Sequence, residues 1–192
     1  EHTLLCCSRG QGLLLLDLKT GKYNPPPFDC GKEIMNIFID SQKRIWVAPY
    51  NGGLNCLTRD GKLLATYTTR NSSLSNNVVL SLAEREGQIW IGTDGGGINI
   101  LDPETGQFSL LEHIPGRDNY SLPANSILCL YNDRNNNMWA GSIRNGLISI
   151  REVSMKTYKD VLPGNDRGLS NSTVLSLFQE SENRIWIGTD GG

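Results

Sequence analysis

The run Gly92-Thr93-Asp94-Gly95-Gly96-Gly97 has the residue types of an anion cradle, because glycines let backbone amides approach a phosphate closely. A phosphate loop or a dinucleotide fingerprint needs a helix after its glycines, and the phosphate loop needs a lysine. Here the strand-like Ile98-Asn99-Ile100-Leu101 follows, with no lysine in the run. The glycines therefore read as a tight hairpin in which Asp94-Gly95, or Asn51-Gly52 in a sister copy, supplies positive φ. Asp94 and Asp190 offer hard oxygens to calcium, but no D-x-D-x-D run accompanies them. The five cysteines, Cys6, Cys7, Cys30, Cys56 and Cys129, form no CxxC, and the two histidines are His2 and His113. No metal site, no cofactor and no catalytic residue are expected. The cysteines read as small buried hydrophobes, with one disulfide left open for an oxidising compartment.

The elements that carry these residues are constrained by the rest of the chain. It has 192 residues, 38% hydrophobic and 20% charged, with a formal net charge of −2. Such a balance needs no basic face, so nucleic acid is not an expected partner. The longest apolar run, Leu13–Leu16, is strand-sized, which predicts no membrane contact by this segment. The chain opens on Glu1 without a methionine, which reads as a piece of a processed or exported parent.

All four tryptophans share one context. The strings are RIWVAPYNGGLNCL (44–57), QIWIGTDGGGINIL (88–101), NMWAGSIRNGLISI (137–150) and RIWIGTDGG (184–192). Trp46, Trp90, Trp139 and Trp186 follow one another at 44, 49 and 47 residues. A degenerate copy, residues 4–23, replaces the tryptophan by Leu5 and keeps Gly12, Asp17, Thr20 and Gly21 opposite Gly97, Asp102, Thr105 and Gly106. A period of 40–50 residues means a solenoid or a propeller. Each period holds four short apolar or alternating runs separated by Gly and Asn turns, and none has a helical period. That predicts an all-β chain of four-stranded antiparallel propeller blades. The predicted parts are a partial blade at 1–28, blades at 34–68, 76–114 and 125–161, and a partial blade at 172–192.

The first strand of each blade aligns as IMNIF (34–38), VLSLA (79–83), ILCLY (127–131) and VLSLF (174–178). Its lost alternation predicts burial on both faces. Asp40, Asp133 and Glu180 lie six residues before a tryptophan, in the turn joining the first two strands, where a carboxylate accepts from turn amides. In the second full copy that turn is one residue shorter. Trp46, Trp90, Trp139 and Trp186 are expected to pack between blades, and Gly95 and Gly96 to form the repeated turn.

The recurring IWIGTDGG string, with NSSLSNNVV, NYSLPANSI and DRGLSNSTV before the first strands, resembles the two-component regulator propeller repeat. The resemblance runs the length of the chain and departs at Leu5, APYNGG and GSIRNG. It implies the periplasmic sensor region of a bacterial hybrid two-component histidine kinase of Bacteroides-like organisms, which detects oligosaccharides to control polysaccharide use. The implied partners are an oligosaccharide, the remaining blades and sandwich domain of the parent, and in one arrangement a second copy. The alternative implied role is a structural or dimerisation propeller, with ligand recognition elsewhere in the parent.

Propeller geometry puts the strand 2–3 turns and the blade-to-blade linkers on one face. Its polar candidates for ligand binding are Arg9, Tyr50, Asn51, Asp94, Arg117, Tyr120, Arg144, Asn145 and Arg167. Tyr50 and Tyr120 offer stacking faces for a sugar, and the arginines offer forks for a carboxylate or sulfate. Roughly four periods are expected to make an incomplete ring, an open arc or two copies paired end to end.

Overall fold

A computed structural model describes residues 3–8, 10–25, 28–115, 121–151, 155–159, 168–182 and 184–190. Among them the chain is all strand and turn. The first sheet orders β1 (Thr3–Ser8), β2 (Gly12–Asp17) and β3 (Tyr23–Asn24). The second orders β4 (Ile34–Ile39), β5 (Ile45–Pro49), β6 (Leu54–Leu57) and β7 (Leu63–Tyr67). The third orders β8 (Val79–Arg85), β9 (Gln88–Thr93), β10 (Ile98–Leu101) and β11 (Phe108–Leu111). The fourth orders β12 (Ile127–Asn132), β13 (Met138–Ser142), β14 (Leu147–Ile150) and β15 (Met155–Tyr158). The fifth pairs β16 (Val174–Ser181) with β17 (Arg184–Thr189). Each sheet is an up-and-down antiparallel meander, as a propeller blade requires. The chain packs as two compact units, Glu1–Val79 and Leu80–Gly192, each described by itself.

Ile45–Ala48 and Leu54–Leu57 are buried throughout, whereas β4 and β12 are mostly half-buried. The expectation of a first strand buried on both faces is met at β8, where Val79 and Ser81–Ala83 are buried, and is corrected at β4 and β12. The first strand's lost alternation has a further cause. The small residue at its third position faces a glycine or alanine of the next strand: Asn36 pairs with Ala48, Cys129 with Gly141 and Ser176 with Gly188. A Cβ on Gly141 would strike the Cys129 sulfur and the Val174 side chain. The space so kept lets successive first strands approach. The Ser81 hydroxyl donates to the Ile127 carbonyl at 3.3 Å, and the Cys129 thiol to the Val174 carbonyl at 3.7 Å.

The core of the first unit gathers Leu13, Ile34, Ile45, Val47 and Leu57. That of the second joins Trp90, Ile98, Leu122, Ile127, Met138 and Ile148. Complete burial of each such side chain stabilises by about 1.5–3 kcal/mol. The linker leucines Leu74 and Leu122 are buried, and Leu122 joins the core of the second unit. The five cysteines are free thiols in this structure. Burial pushes the thiols of Cys30, Cys56 and Cys129 up to about 11, which keeps them protonated and unreactive.

Candidate functional site

Two ends of each sheet hold the repeated polar residues. At one end, the strand 1–2 turn carries the acid. Asp40 Oδ2 accepts from the Trp46 indole at 2.9 Å and from Arg44 Nε at 2.6 Å, while Oδ1 accepts from the Arg44 amide. Asp133 Oδ2 accepts from the Trp139 indole at 2.8 Å, and Oδ1 from the amides of Asn135 and Asn137. Burial alone would raise both carboxyls. The indole hydrogen bond and the Arg44 or Asn137 bonds outweigh it and hold both below the usual carboxylate range. The turn amides were foreseen; the indole was not, although the fixed offset of six residues between acid and tryptophan carried the signal. Glu180 departs from the pattern and pairs with Arg184 at 3.0 Å.

The tryptophans therefore do more than pack between sheets. Trp46 is fully buried and stacks on Tyr67 of its own sheet, with centroids 6.3 Å apart. Trp139 lies tilted on Tyr158 at 6.3 Å. Trp90 packs in the core shared with β12–β14, as expected. Trp186 departs from the expectation at 58% exposed, next to the equally open Phe178.

At the other end, the strand 2–3 turns are held by backbone. The amide four residues after the tryptophan donates to the residue just before its own first strand: Tyr50 to Glu33, Ile143 to Ser126 and Asp190 to Thr173. The amide seven residues after donates to the linker into the next sheet: Gly53 to Asn77, Gly97 to Asn125 and Gly146 to Ser172. Gly12 does the same to Lys32 in the degenerate copy. All four glycines have φ between 73° and 77°. A Cβ on Gly53, Gly97 or Gly146 would run into the carbonyl oxygen of Tyr67, Leu111 or Tyr158. The steric demand thus falls on Gly97, not on Gly95, one of the two glycines singled out by repetition. Gly95 is left-handed at φ 83° with open space around it, and neither Gly96 nor Asp94 is left-handed.

The position five residues after the tryptophan is left-handed in every complete copy: Asn51 (φ 52°), Gly95 (φ 83°) and Arg144 (φ 64°). Asparagine and glycine adopt this region readily; arginine does not. Arg144 and Tyr50 are exposed, and the Asn145 amide donates back to Ile143. Asp94 accepts from the Ser126 hydroxyl at 2.8 Å, and the Ser126 carbonyl takes the Ile143 amide. The turns bearing Asp94 and Arg144 are therefore tied through one linker residue. Tyr50 and Asn51 belong to the first unit and are placed only within it. Arg9, Arg117, Tyr120 and Arg167 lie outside the described residues. His113 is engaged in the fold: its Nδ1 sits 2.7 Å from the Leu122 carbonyl. An apolar cavity of about 390 Å³ lies in the second unit among Trp139, Leu147, Tyr158, Leu169, Ile185 and Ile187, and no candidate residue lines it.

The same turn-and-linker unit is what known families share with this chain. The model of the two component regulator propeller matches residues 73–95, 121–144 and 168–191, each spanning a linker, a first strand and the tryptophan strand. Those three stretches are two component regulator propeller repeats. The copies at β1–β3 and β4–β7 lie outside those matches but repeat the same propeller turn and linker bonds. No curated protein matches the propeller chain. Among solved structures, it is similar to the extracellular domain of BT4673 from B. thetaiotaomicron, described both as a hybrid two component and as a one component system. The identity is 28%, the TM-score 0.76, and the match covers 98% of this chain and 25% of that one. The extracellular domain of BT3049, described as a hybrid two component system of the same organism, aligns at 22% identity and TM-score 0.77 over 98% of this chain and 24% of that one. An inactive virginiamycin B lyase from Staphylococcus aureus shares the fold alone, at 16% identity and TM-score 0.66 over 97% of this chain and 63% of the lyase. The propeller chain spans about a quarter of the length of the B. thetaiotaomicron domains. Those domains are extracellular, and among the described residues no helix is long and apolar enough to cross a membrane.

Proposed function

We propose that this chain is part of the periplasmic sensor region of a hybrid two-component histidine kinase, and that its strand 2–3 turns contact an oligosaccharide. The sensor role is supported by the repeat and by its extracellular relatives. The placement of the ligand rests on one observation: Arg144 occupies a left-handed position that the sister turns give to asparagine or glycine. Strain of this kind persists where a side chain is needed for something other than folding. A guanidinium presented there binds a carboxylate or sulfate in two parallel hydrogen bonds, which suits an acidic glycan. Tyr50 offers its ring for stacking on a sugar face.

Calorimetric titration of neutral, uronate-bearing and sulfated oligosaccharides against this chain and against the complete extracellular region tests the proposal. Binding by both, weakened by Arg144→Ala, is the expected outcome. Binding by the complete region alone, unaffected by Arg144→Ala, would assign this propeller the structural role instead.

A further inference from the structure

The same slot between two sheets is built twice in the second unit, and one of the two is full. Between the third and fourth sheets, Trp90, Ile98, Leu122, Met138 and Ala140 are buried in one core, with Leu111 packed against it. By offset from the tryptophan, their counterparts one sheet later are Trp139, Leu147, Leu169, Ile185 and Ile187. Tyr158 lies opposite Leu147 as Leu111 lies opposite Ile98. These six counterparts, with Gly168, line the cavity of about 390 Å³. Met138 and Ala140 are fully buried, whereas Ile185, Ile187 and Leu169 are half-buried and Tyr158 is 37% exposed.

The full slot holds two side chains that the second slot lacks. Ile148 and Ile150 of β14 belong to its core, with Ile148 opposite Ala140 and Ile150 opposite Met138. They enter because β14 pairs with β13 on the side away from β12. Among the described residues, β17, the counterpart of β13, pairs with β16 alone. Cavity and strand edge therefore adjoin, since Ile185 and Ile187 line the one and belong to the other. The space far exceeds the roughly 30 Å³ of a water, and its largely aliphatic and aromatic lining offers water few partners.

We propose that this slot binds an extended polypeptide strand, added antiparallel to the open edge of β17. The strand places two aliphatic side chains, two residues apart, opposite Ile187 and Ile185, where they fill the cavity. Backbone hydrogen bonds to β17 supply affinity, and the two side chains supply selectivity. The pattern selected is that of the repeat's own third strand, as in Leu147-Ile148-Ser149-Ile150. This occupant goes beyond the glycan reading and does not depend on it, because the strand 2–3 turns take no part.

The probe is a synthetic peptide of residues 144–152, blocked at both ends and titrated into the ¹⁵N-labelled chain. The amide signals of Ile185 and Ile187 and the indole signal of Trp139 are expected to shift and to saturate at submillimolar peptide. Hydrogen exchange of the β17 amides is expected to slow at least about tenfold, while the Trp46 indole stays in place. A peptide carrying Ile148→Asp and Ile150→Asp is expected to bind at least about tenfold more weakly, and it leaves the chain itself unaltered. Equal binding of the two peptides or shifts that bypass β17 would overturn the proposal. So would a chain that sediments as a dimer through paired β17 edges and admits no peptide.

Discussion

The two ends of each sheet are secured by different chemistry. At the strand 1–2 end, side chains do the holding: Asp40 and Asp133 each gather an indole and turn amides onto one carboxylate. At the strand 2–3 end, most of the repeated bonds run from backbone to backbone, through the amides of Tyr50, Ile143 and Asp190 and of Gly53, Gly97 and Gly146, and the buried Thr93 and Ser142 hydroxyls add one bond each to the Gly97 and Gly146 carbonyls. A side chain that holds the fold cannot vary without loss. A turn held by its amides leaves Tyr50-Asn51, Asp94-Gly95 and Arg144-Asn145 free to differ. The difference teaches where recognition can evolve on a repeat whose fold must not change.

The largest effect should come from putting a side chain where the backbone end requires none. Gly146→Ala forces a Cβ into the Tyr158 carbonyl at φ 73° and should cost about 3 kcal/mol or more in urea unfolding. Gly95→Ala, with open space around it, should cost only about 1 kcal/mol by the same measurement. Equal losses at the two positions would remove the distinction between the holding glycine and the repeated one.

Next comes the side-chain end. Asp133→Ala leaves the Trp139 indole and two turn amides without their acceptor, and should cost about 2–3 kcal/mol. The same carboxylates set an acid limit. Both folded values are depressed, so their contribution is fully present above the unfolded value of about 3.9 and is lost as pH falls through the folded values below it. Asp133→Asn should flatten the fall in stability below that pH, measured by thermal unfolding across the acid range. An unchanged pH profile would mean that the acid–indole bond contributes nothing.

Much of this architecture was legible in the sequence because it recurs. The strand boundaries follow from Gly and Asn turns between apolar runs, and the copy at residues 4–23 was recognisable from Asp17 and Gly21. Asp17 and Asp102 cap equivalent turns, accepting from the amides of Lys19 and Thr20 and of Glu104 and Thr105. What stayed hidden was partnership across space. The indole as the acid's partner, and Gly97 rather than Gly95 as the indispensable glycine, depend on which atoms the next strand brings close. Arg144 was picked out as a polar loop residue. Its left-handed backbone, which sets it apart from Tyr50 and Asn145, is visible only in three dimensions.

The central claim is that the Arg144 side chain, at the tip of a strand 2–3 turn held by other atoms, has no folding duty and serves recognition. Arg144→Gly tests it most directly, because it separates the two effects by sign. In paired unfolding and calorimetric titration with an acidic oligosaccharide, the variant should be more stable by about 0.5–1 kcal/mol, since glycine accepts φ 64° without strain. Its affinity for the glycan should fall at least about tenfold. A variant that loses stability while keeping the affinity of the unaltered chain would contradict the account.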